Sequence, residues 1–495
     1  MHFLADVSSN PSLVFLVLAV GLALAFEFVN GFHDTANAVA TVIYTHTLKP
    51  QLAVVWSGIW NLIGVLTSSG AVAFGIVSLL PVELVLNVGS GAGFAMVFSL
   101  LISAIIWNMG TWWLGLPASS SHTLIGSIIG VGLANSYIKG HGFGEGVNWA
   151  KAQEVGISLL VSPLVGFTLA GLMLLLLKAV VKNRELFTEP PKDKTPPFFI
   201  RCILMLTCTG VSFAHGSNDG QKGMGLIVLI LVGMLPGTYA LNMGQSSSDL
   251  ALMLAQARKA QVVYTQKAAA TQVTAQEAND ELQAFIKPAG KVSDKTYAAL
   301  AVESQVIGDK VAKIQTFNDL PEPERRTMRT DIYLVAAGTS KILKAGQVSN
   351  VEDKKTLSEF KDRLDGVTKF IPLWVKVAVA IALGLGTMIG WKRIVVTVGE
   401  KIGKTHLTYA QGASAELVAM ATIMAADTMG LPVSTTHVLS SGIAGTMAAN
   451  HSGLQMRTLR NILLAWVLTL PVCIFLGSML FAFGNNFVLN WLGLK

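Results

Sequence analysis

One polar motif occurs twice in this chain, each time embedded in apolar sequence: Gly115-Leu116-Pro117-Ala118-Ser119-Ser120-Ser121-His122 and Gly430-Leu431-Pro432-Val433-Ser434-Thr435-Thr436-His437. The surroundings make this a severe constraint. The 495 residues are 52% hydrophobic and 13% charged, with mean hydropathy +0.56, whereas soluble proteins carry about 25% charged residues. The chain reads as a polytopic membrane protein, and both motifs fall at membrane depth. An unsatisfied polar group in hydrocarbon costs several kcal/mol, so polar, non-helical backbone survives there only when buried in protein or lining a watery cavity. Gly/Pro-interrupted segments at matching places in two halves are the strongest sequence pointer to a transporter's binding site.

A second pair of motifs extends the duplication. Gly31-Phe32-His33-Asp34-Thr35-Ala36-Asn37-Ala38 is matched by Gly216-Ser217-Asn218-Asp219-Gly220-Gln221-Lys222-Gly223. Asp34 maps on Asp219 with an offset of 185, Pro117 on Pro432 with 315, and the difference of 130 is an insertion in the second copy. The expected organisation is a first membrane repeat over 1–181, a basic linker over 182–197, the start of a second repeat over 198–236, a soluble helical insert over 237–370 on the cytoplasmic side, and the rest of the second repeat over 371–495. The formal charge of +7 is assigned to topogenic lysines and arginines beside spans, not to nucleic acid. Cys202, Cys208 and Cys473 lie in apolar runs, form no disulfide set and lack metal-site spacing. The first apolar run has no preceding Lys or Arg and reads as a retained span.

Along the chain, Ser12 to Asn30 is a span carrying Glu27, which the Asn30-Gly31 turn pair is expected to break, leaving Ala36 to Thr47 too short to cross. Gln51–Val77, Gly93–Trp113, Gly156–Val181 with Pro163, Ile371–Trp391, Leu407–Met429 and Asn461–Phe483 with Pro471 continue the membrane plan. Lys392 to His406 reads as a basic loop, and Ala251, Leu254 and Ala255 set a helical spacing in the insert. The fold class is thus an all-α polytopic membrane protein of about 10–12 membrane segments, with discontinuous helices and re-entrant hairpins. An odd number of crossings per unit makes the two repeats inverted.

The polar groups point to ion chemistry. Intramembrane Asp34 and Asp219 are functional candidates by default. Ser119, Ser120, Ser121 and Thr123 with Ser434, Thr435 and Thr436 offer hydroxyls without fixed charge, suited to an oxyanion that is bound and released. Helix capping is the bland alternative for each. His122 and His437 are structural or substrate-contacting with equal weight, His33 beside Asp34 is the better candidate for carrying a proton, and Lys222 neutralises Asp219, stands in for a cation, or snorkels to the surface. A serine hydrolase lacks its Gly-x-Ser-x-Gly elbow. The Walker-like run Val398–Thr405 lacks the first glycine and a preceding strand.

The stretches GFHDTANAVAT, AHGSNDGQKG, GLPASSSHTLIG and SAELVAMATIMAADTMGLPVSTTHVLSSGIAG closely resemble the inorganic phosphate transporter (Pit) family of the low-affinity bacterial type. The likeness covers roughly residues 12–236 and 371–484 and leaves out the insert. It implies a secondary symporter of the bacterial inner membrane, dimeric, with two inverted repeats and no resident cofactor, moving inorganic phosphate with a coupling cation. Family binding residues fall on Asp34, Asn37, Ser120, Ser121, Asn218, Asp219, Thr435 and Thr436, with Gln221 beside them. His33 replaces an asparagine, and Gln221-Lys222 replaces Ala-Asn. These departures are similar to the branch coupled to protons instead of sodium, which carries phosphate with a divalent metal.

Overall fold

The computed structural model describes residues 11–34, 36–80, 90–140, 142, 144–191, 195–287 and 290–490. Among these, every regular element is a helix, apart from one isolated bridge between Gly403 and Leu454. In chain order the helices are α1 Pro11–Asp34, α2 Ala36–Tyr44, α3 Pro50–Thr67, α4 Ala71–Val77, α5 Gly91–Trp113, α6 Ser120–Ile138, α7 Trp149–Val180, α8 Phe198–Met234, α9 Pro236–Tyr239 and α10 Ser247–Lys267. There follow α11 Ala275–Ile286, α12 Asp294–Val311, α13 Glu322–Lys344, α14 Val351–Thr368, α15 Leu373–Met388, α16 Lys392–Glu400, α17 Tyr409–Thr428, α18 Thr435–Ala449 and α19 Met456–Asn490. The chain separates into two compact units, one of Met1–Leu84, Gly89–Ile230 and Ile371–Lys495, the other containing Leu231–Phe370.

Among the described residues six stretches are long and apolar enough to cross a membrane: α1 with α2, α3, α5, α7, α8 and α19. The helices that follow the hydroxyl motifs are shorter and almost wholly buried. Each lies against the last long helix of the opposite half, α6 on α19 and α18 on α7. Both crossings bring backbone to backbone. A Cβ on Gly130 would sit 2.2 Å from the Ile474 carbonyl oxygen, and one on Gly445 would sit 2.0 Å from that of Phe167. Ser478 Oγ donates to the Gly130 carbonyl at 2.7 Å.

Three local expectations change. The Asn30-Gly31 pair does not break its helix, since α1 runs through it to Asp34. Gly31 serves close packing, because a Cβ there would meet the Leu383 carbonyl oxygen at 2.3 Å. In the second copy no break occurs at all: α8 passes unbroken through Asp219. The basic loop at 392–406 begins as helix α16, whose Ile394, Val395 and Val398 are buried while Lys392 and Arg393 stay exposed. With Val398 in a packed helical face, no phosphate-cradling loop exists there.

The second unit is a helical bundle with its own core. Capping boxes at Ser246/Asp249, Thr274/Glu277 and Ser293/Thr296 start its helices. The buried face of α10 is Leu250, Met253, Ala257, Ala260 and Tyr264, so the expected Ala251-Leu254-Ala255 spacing is out of register by one residue. The larger side chains take the core and leave Ala251 and Ala255 exposed. Burial raises the Glu303 carboxyl to about 7, the Asp331 charge adds to this, and Lys310, paired with Asp331 at 2.8 Å, opposes it.

Two outcomes are expected. Gly130→Ala or Gly445→Ala overpacks a crossing, at about 1–3 kcal/mol, and lowers the melting temperature of the detergent-solubilised protein. Gly110→Ala, with open space around it, does not, and equal effects at the three positions would contradict the packing account. For Glu303, an unfolded chain releases the proton near the ordinary 4.5 and the folded one near 7, so the folded state binds more protons between these values and the unit loses stability as pH rises through them. Hydrogen exchange of α12 in the full chain, corrected for intrinsic rates, should speed up over that range, and Glu303→Gln should remove the trend.

Candidate functional site

The duplicated motif is a helix stop followed at once by a helix start. Gly115 and Gly430 take left-handed φ of +67° and +65°, a conformation open to glycine. The next amides turn back, Leu116 N–H to the Thr111 carbonyl and Leu431 N–H to that of Ala426, both at 2.9 Å, which closes each helix in a Schellman arrangement. Proline then prevents continuation. Ser119 and Ser434 cap the new helices by accepting the His122 and His437 amides at 3.2 and 3.1 Å. Four residues of each octapeptide are thus spent on geometry, and the result is two helix N-termini, at Ser120 and Thr435, buried in the unit's interior. Helix N-termini attract negative charge.

Asp34 occupies that focus. Its carboxylate accepts from Ser120 Oγ at 3.0 Å and from the Thr436 hydroxyl, one donor from each motif. His33 Nδ1 lies 3.3 Å away, while His33 Nε2 meets Thr111 Oγ1 at 3.1 Å. Asp219 lies alongside: Ser120 Oγ is 3.4 Å from its Oδ2, and Lys222 Nζ pairs with the same oxygen at 2.7 Å. Lys222 is fully buried and also reaches Ser120 Oγ at 3.4 Å, so it does not snorkel to the surface, and its place on Asp219 fits both a neutralising partner and a stand-in for a cation.

His215 completes the cluster. Its Nε2 stands 3.6 Å from Asp219 Oδ2 and 3.9 Å from Asp34 Oδ2. The other ring nitrogen faces Asn61 Oδ1 at 2.7 Å. Asn61 has its amide nitrogen on Ser57 and Thr387 hydroxyls, so its oxygen takes the His215 Nδ1 proton and the ring is held with Nε2 facing two carboxylates. Asp34, His215 and Asp219 each offer a ligand atom, all within 4.8 Å of one another. An imidazole fixed through its second nitrogen, beside two carboxylates, is a donor set for a divalent cation. Asp219 Oδ1, Asn218 Oδ1 and Thr435 Oγ1 are buried polar atoms without a hydrogen-bond partner among the described residues.

The remaining sequence candidates take supporting places. Ser121 Oγ donates to the Val433 carbonyl at 2.7 Å, tying the first half to the motif of the second, and Asn218 Nδ2 donates to the Leu431 carbonyl at 3.2 Å within the second half. Thr123 back-bonds to the Ser119 carbonyl and reaches Asn108. Gln221 is not in the cluster: it accepts the Val72 amide at 2.9 Å and donates to Asp427 at 2.6 Å. His122 and His437 stack at 4.7 Å, with Trp466 against His437. The side chain of Asn37 lies outside the described residues. Sequence reasoning missed His215 and Asn61; the 185-residue offset pairs His215 with Asn30, which was the available signal.

The phosphate transporter family profile matches residues 30–477. The chain belongs to the phosphate transporter family. It is 40% identical to the low-affinity inorganic phosphate transporter PitA of Escherichia coli strain K12, over 99% of this chain and all of that protein. It is 41% identical to PitB of the same strain, over 94% of this chain and 96% of that one. Because these alignments run the length of the chain, the insert lies within the family likeness and not outside it. In fold the chain is similar to a solved structure titled "The sodium-dependent phosphate transporter", with a TM-score of 0.52 and 20% identity over 94% of this chain and 98% of that one. Its relatives are transporters and not enzymes, and it is a multi-pass membrane protein.

For this family member, Lys222→Met should remove about 3–5 kcal/mol of stability by stranding the Asp219 charge, read as a lowered melting temperature in detergent. Adding Asp219→Asn should restore most of the loss. Strictly additive losses would show that the two groups do not form the pair described.

Proposed function

We propose that this protein is a secondary-active symporter of the bacterial inner membrane that imports inorganic phosphate with a divalent metal, as a neutral metal-hydrogenphosphate complex, coupled to protons. The observation that carries the reading is the convergence of Ser120 and Thr436, one from each hydroxyl motif, on a carboxylate that also belongs to a three-residue cation-ligand set.

The chemistry runs as follows. The cargo metal is held by Asp34 and Asp219 carboxylates and by His215 Nε2. Drawing Asp34 toward a cation frees the hydroxyls at the starts of α6 and α18, and those donors, with the two helix dipoles, receive the phosphate oxygens. Thr435 Oγ1 and Asn218 Oδ1, both unpartnered, add one donor to phosphate and one acceptor for its proton. Lys222 offsets one of the two carboxylates, and a neutral complex brings no net charge of its own to the site. Hydroxyl and dipole contacts hold an anion without a permanent ion pair, which suits release. Alternating access would follow from rocking of two inverted repeats about this shared site, for which the reciprocal packing of α6 on α19 and α18 on α7 speaks.

In vesicles reconstituted with the purified protein, labelled phosphate uptake with magnesium should fall by two orders of magnitude or more, roughly the loss of several kcal/mol of binding, in either Asp34→Asn or Asp219→Asn. An imposed pH gradient should drive uptake without sodium. Full uptake in both Asp variants, or a strict sodium requirement, would overturn the reading.

A further inference from the structure

Glu27 lies two helical turns before Asp34 on α1 and is fully buried. Its Oε1 accepts the backbone N–H of Gly223 at 2.6 Å, and its Oε2 accepts from Asn30 Nδ2 at 3.4 Å. Among the described residues no basic side chain forms an ion pair with it, since Lys222, next to Gly223, is committed to Asp219. Gly223 sits inside unbroken α8, where a regular helix assigns the amide of residue 223 to the carbonyl of residue 219. Glu27 therefore competes with the backbone of Asp219 for that amide. The contact requires glycine, because a Cβ at 223 would lie 2.4 Å from Glu27 Cγ.

The charged groups facing Glu27 are Lys222 and Asp219 on α8. On α1 itself the neighbouring titratable groups are His33 and Asp34. Of the other helices packed on α1, α5 has no titratable side chain, α15 has only Lys376, which donates to the Ser68 carbonyl, and α2 has only Tyr44, bonded to Glu400. His33 is engaged at both ring nitrogens, by Asp34 and by Thr111. Glu27 is engaged by two neutral donors, one on each oxygen, and neither is a fixed countercharge.

We propose that Glu27, and not His33, carries the coupled proton. The proposal rests on the proton-coupled reading above and names the residue it leaves open. In the ionised state Glu27 draws the Gly223 N–H out of the α8 ladder through a charge-assisted hydrogen bond. Protonation weakens that pull, returns the amide to the Asp219 carbonyl, and removes one negative charge from beside Lys222. Protonation at Glu27 is thereby transmitted along α8 to the residue that holds cargo. The proton gained by the carboxylate on one side of the membrane is the one lost from the carboxylic acid on the other.

The test uses the full chain in proteoliposomes with magnesium phosphate, no sodium, and the membrane potential clamped. One coupled proton and a gradient of one pH unit support about tenfold accumulation. The wild type should reach it and E27Q should fall to equilibration, while still exchanging external for internal phosphate at equal pH with a flattened pH profile. H33N should weaken transport and keep the coupling. If E27Q cannot exchange phosphate, the shorter E27D decides: a pH profile displaced from the wild type supports the proposal, and an undisplaced one overturns it. Full pH-driven accumulation by E27Q also overturns it. Absence of pH-driven accumulation in the wild type instead removes the proton-coupled reading itself.

Discussion

The carboxylate of Asp34, held by hydroxyls at the starts of two helices from opposite halves, is the contact on which the first unit depends. A carboxylate buried in an apolar interior is expensive unless hydrogen-bonded. Here its donors are supplied only if Ser120 and Thr436 arrive together. That requires both helices to end and restart at depth, which the left-handed glycines, the prolines and the capping serines arrange. It also requires the two short helices to be braced, and each is braced by the other half through a crossing too tight for any residue with a side chain at Gly130 or Gly445. The polar centre and the apolar frame are thus one construction.

The cluster is not symmetric, although the chain that builds it is duplicated. Asp34 is satisfied mainly by neutral hydroxyls and His33, while Asp219 is satisfied by an ammonium. At the duplicated positions, Asn30 corresponds to His215, His33 to Asn218 and Asn37 to Lys222. Two identical half-sites would favour two identical ions. The divergence gives one carboxylate a set of neutral donors and the other a permanent countercharge.

Much of this was legible in the sequence because the bilayer removes alternatives. Two octapeptides with hydroxyls in apolar surroundings must be buried in protein, and their duplication dictates that they meet; Ser120, Thr436, Asp34 and Asp219 follow. What was not legible depends on helix rotation and backbone continuity. Gln221 belongs to the right motif but points at Val72 and Asp427. His215 lies one helical turn ahead of Asp219 and faces the same way, yet nothing in its immediate sequence distinguishes it from a core histidine. Asn30-Gly31 has the composition of a turn, but its glycine admits α15, a neighbour more than three hundred residues away that no local rule can see. The α10 register failed for a related reason: alanine is compatible with both faces of a helix, and Leu250, Met253 and Tyr264 outweigh it in the core.

The unbroken course of α8 through Asp219 bears on how a site of this kind can move. A discontinuous helix separates its two ends mechanically, so a change at one side need not reach the other. A continuous helix with glycines at 216, 220, 223 and 225 transmits displacement along its axis while its small faces allow neighbours to slide against it. Asn61 carbonyl oxygen, Val65, Glu27 and Ala73 occupy the places where those four glycines would carry side chains. These contacts come from α1, α3 and α4, all in the first half of the chain. Strengthening or releasing any one of them shifts the helix that holds Asp219, Lys222 and His215 as a single body relative to Asp34. Glu27, on α1, touches this body through the Gly223 amide, so one backbone contact joins the buried acid of α1 to the helix that carries His215, Asp219 and Lys222.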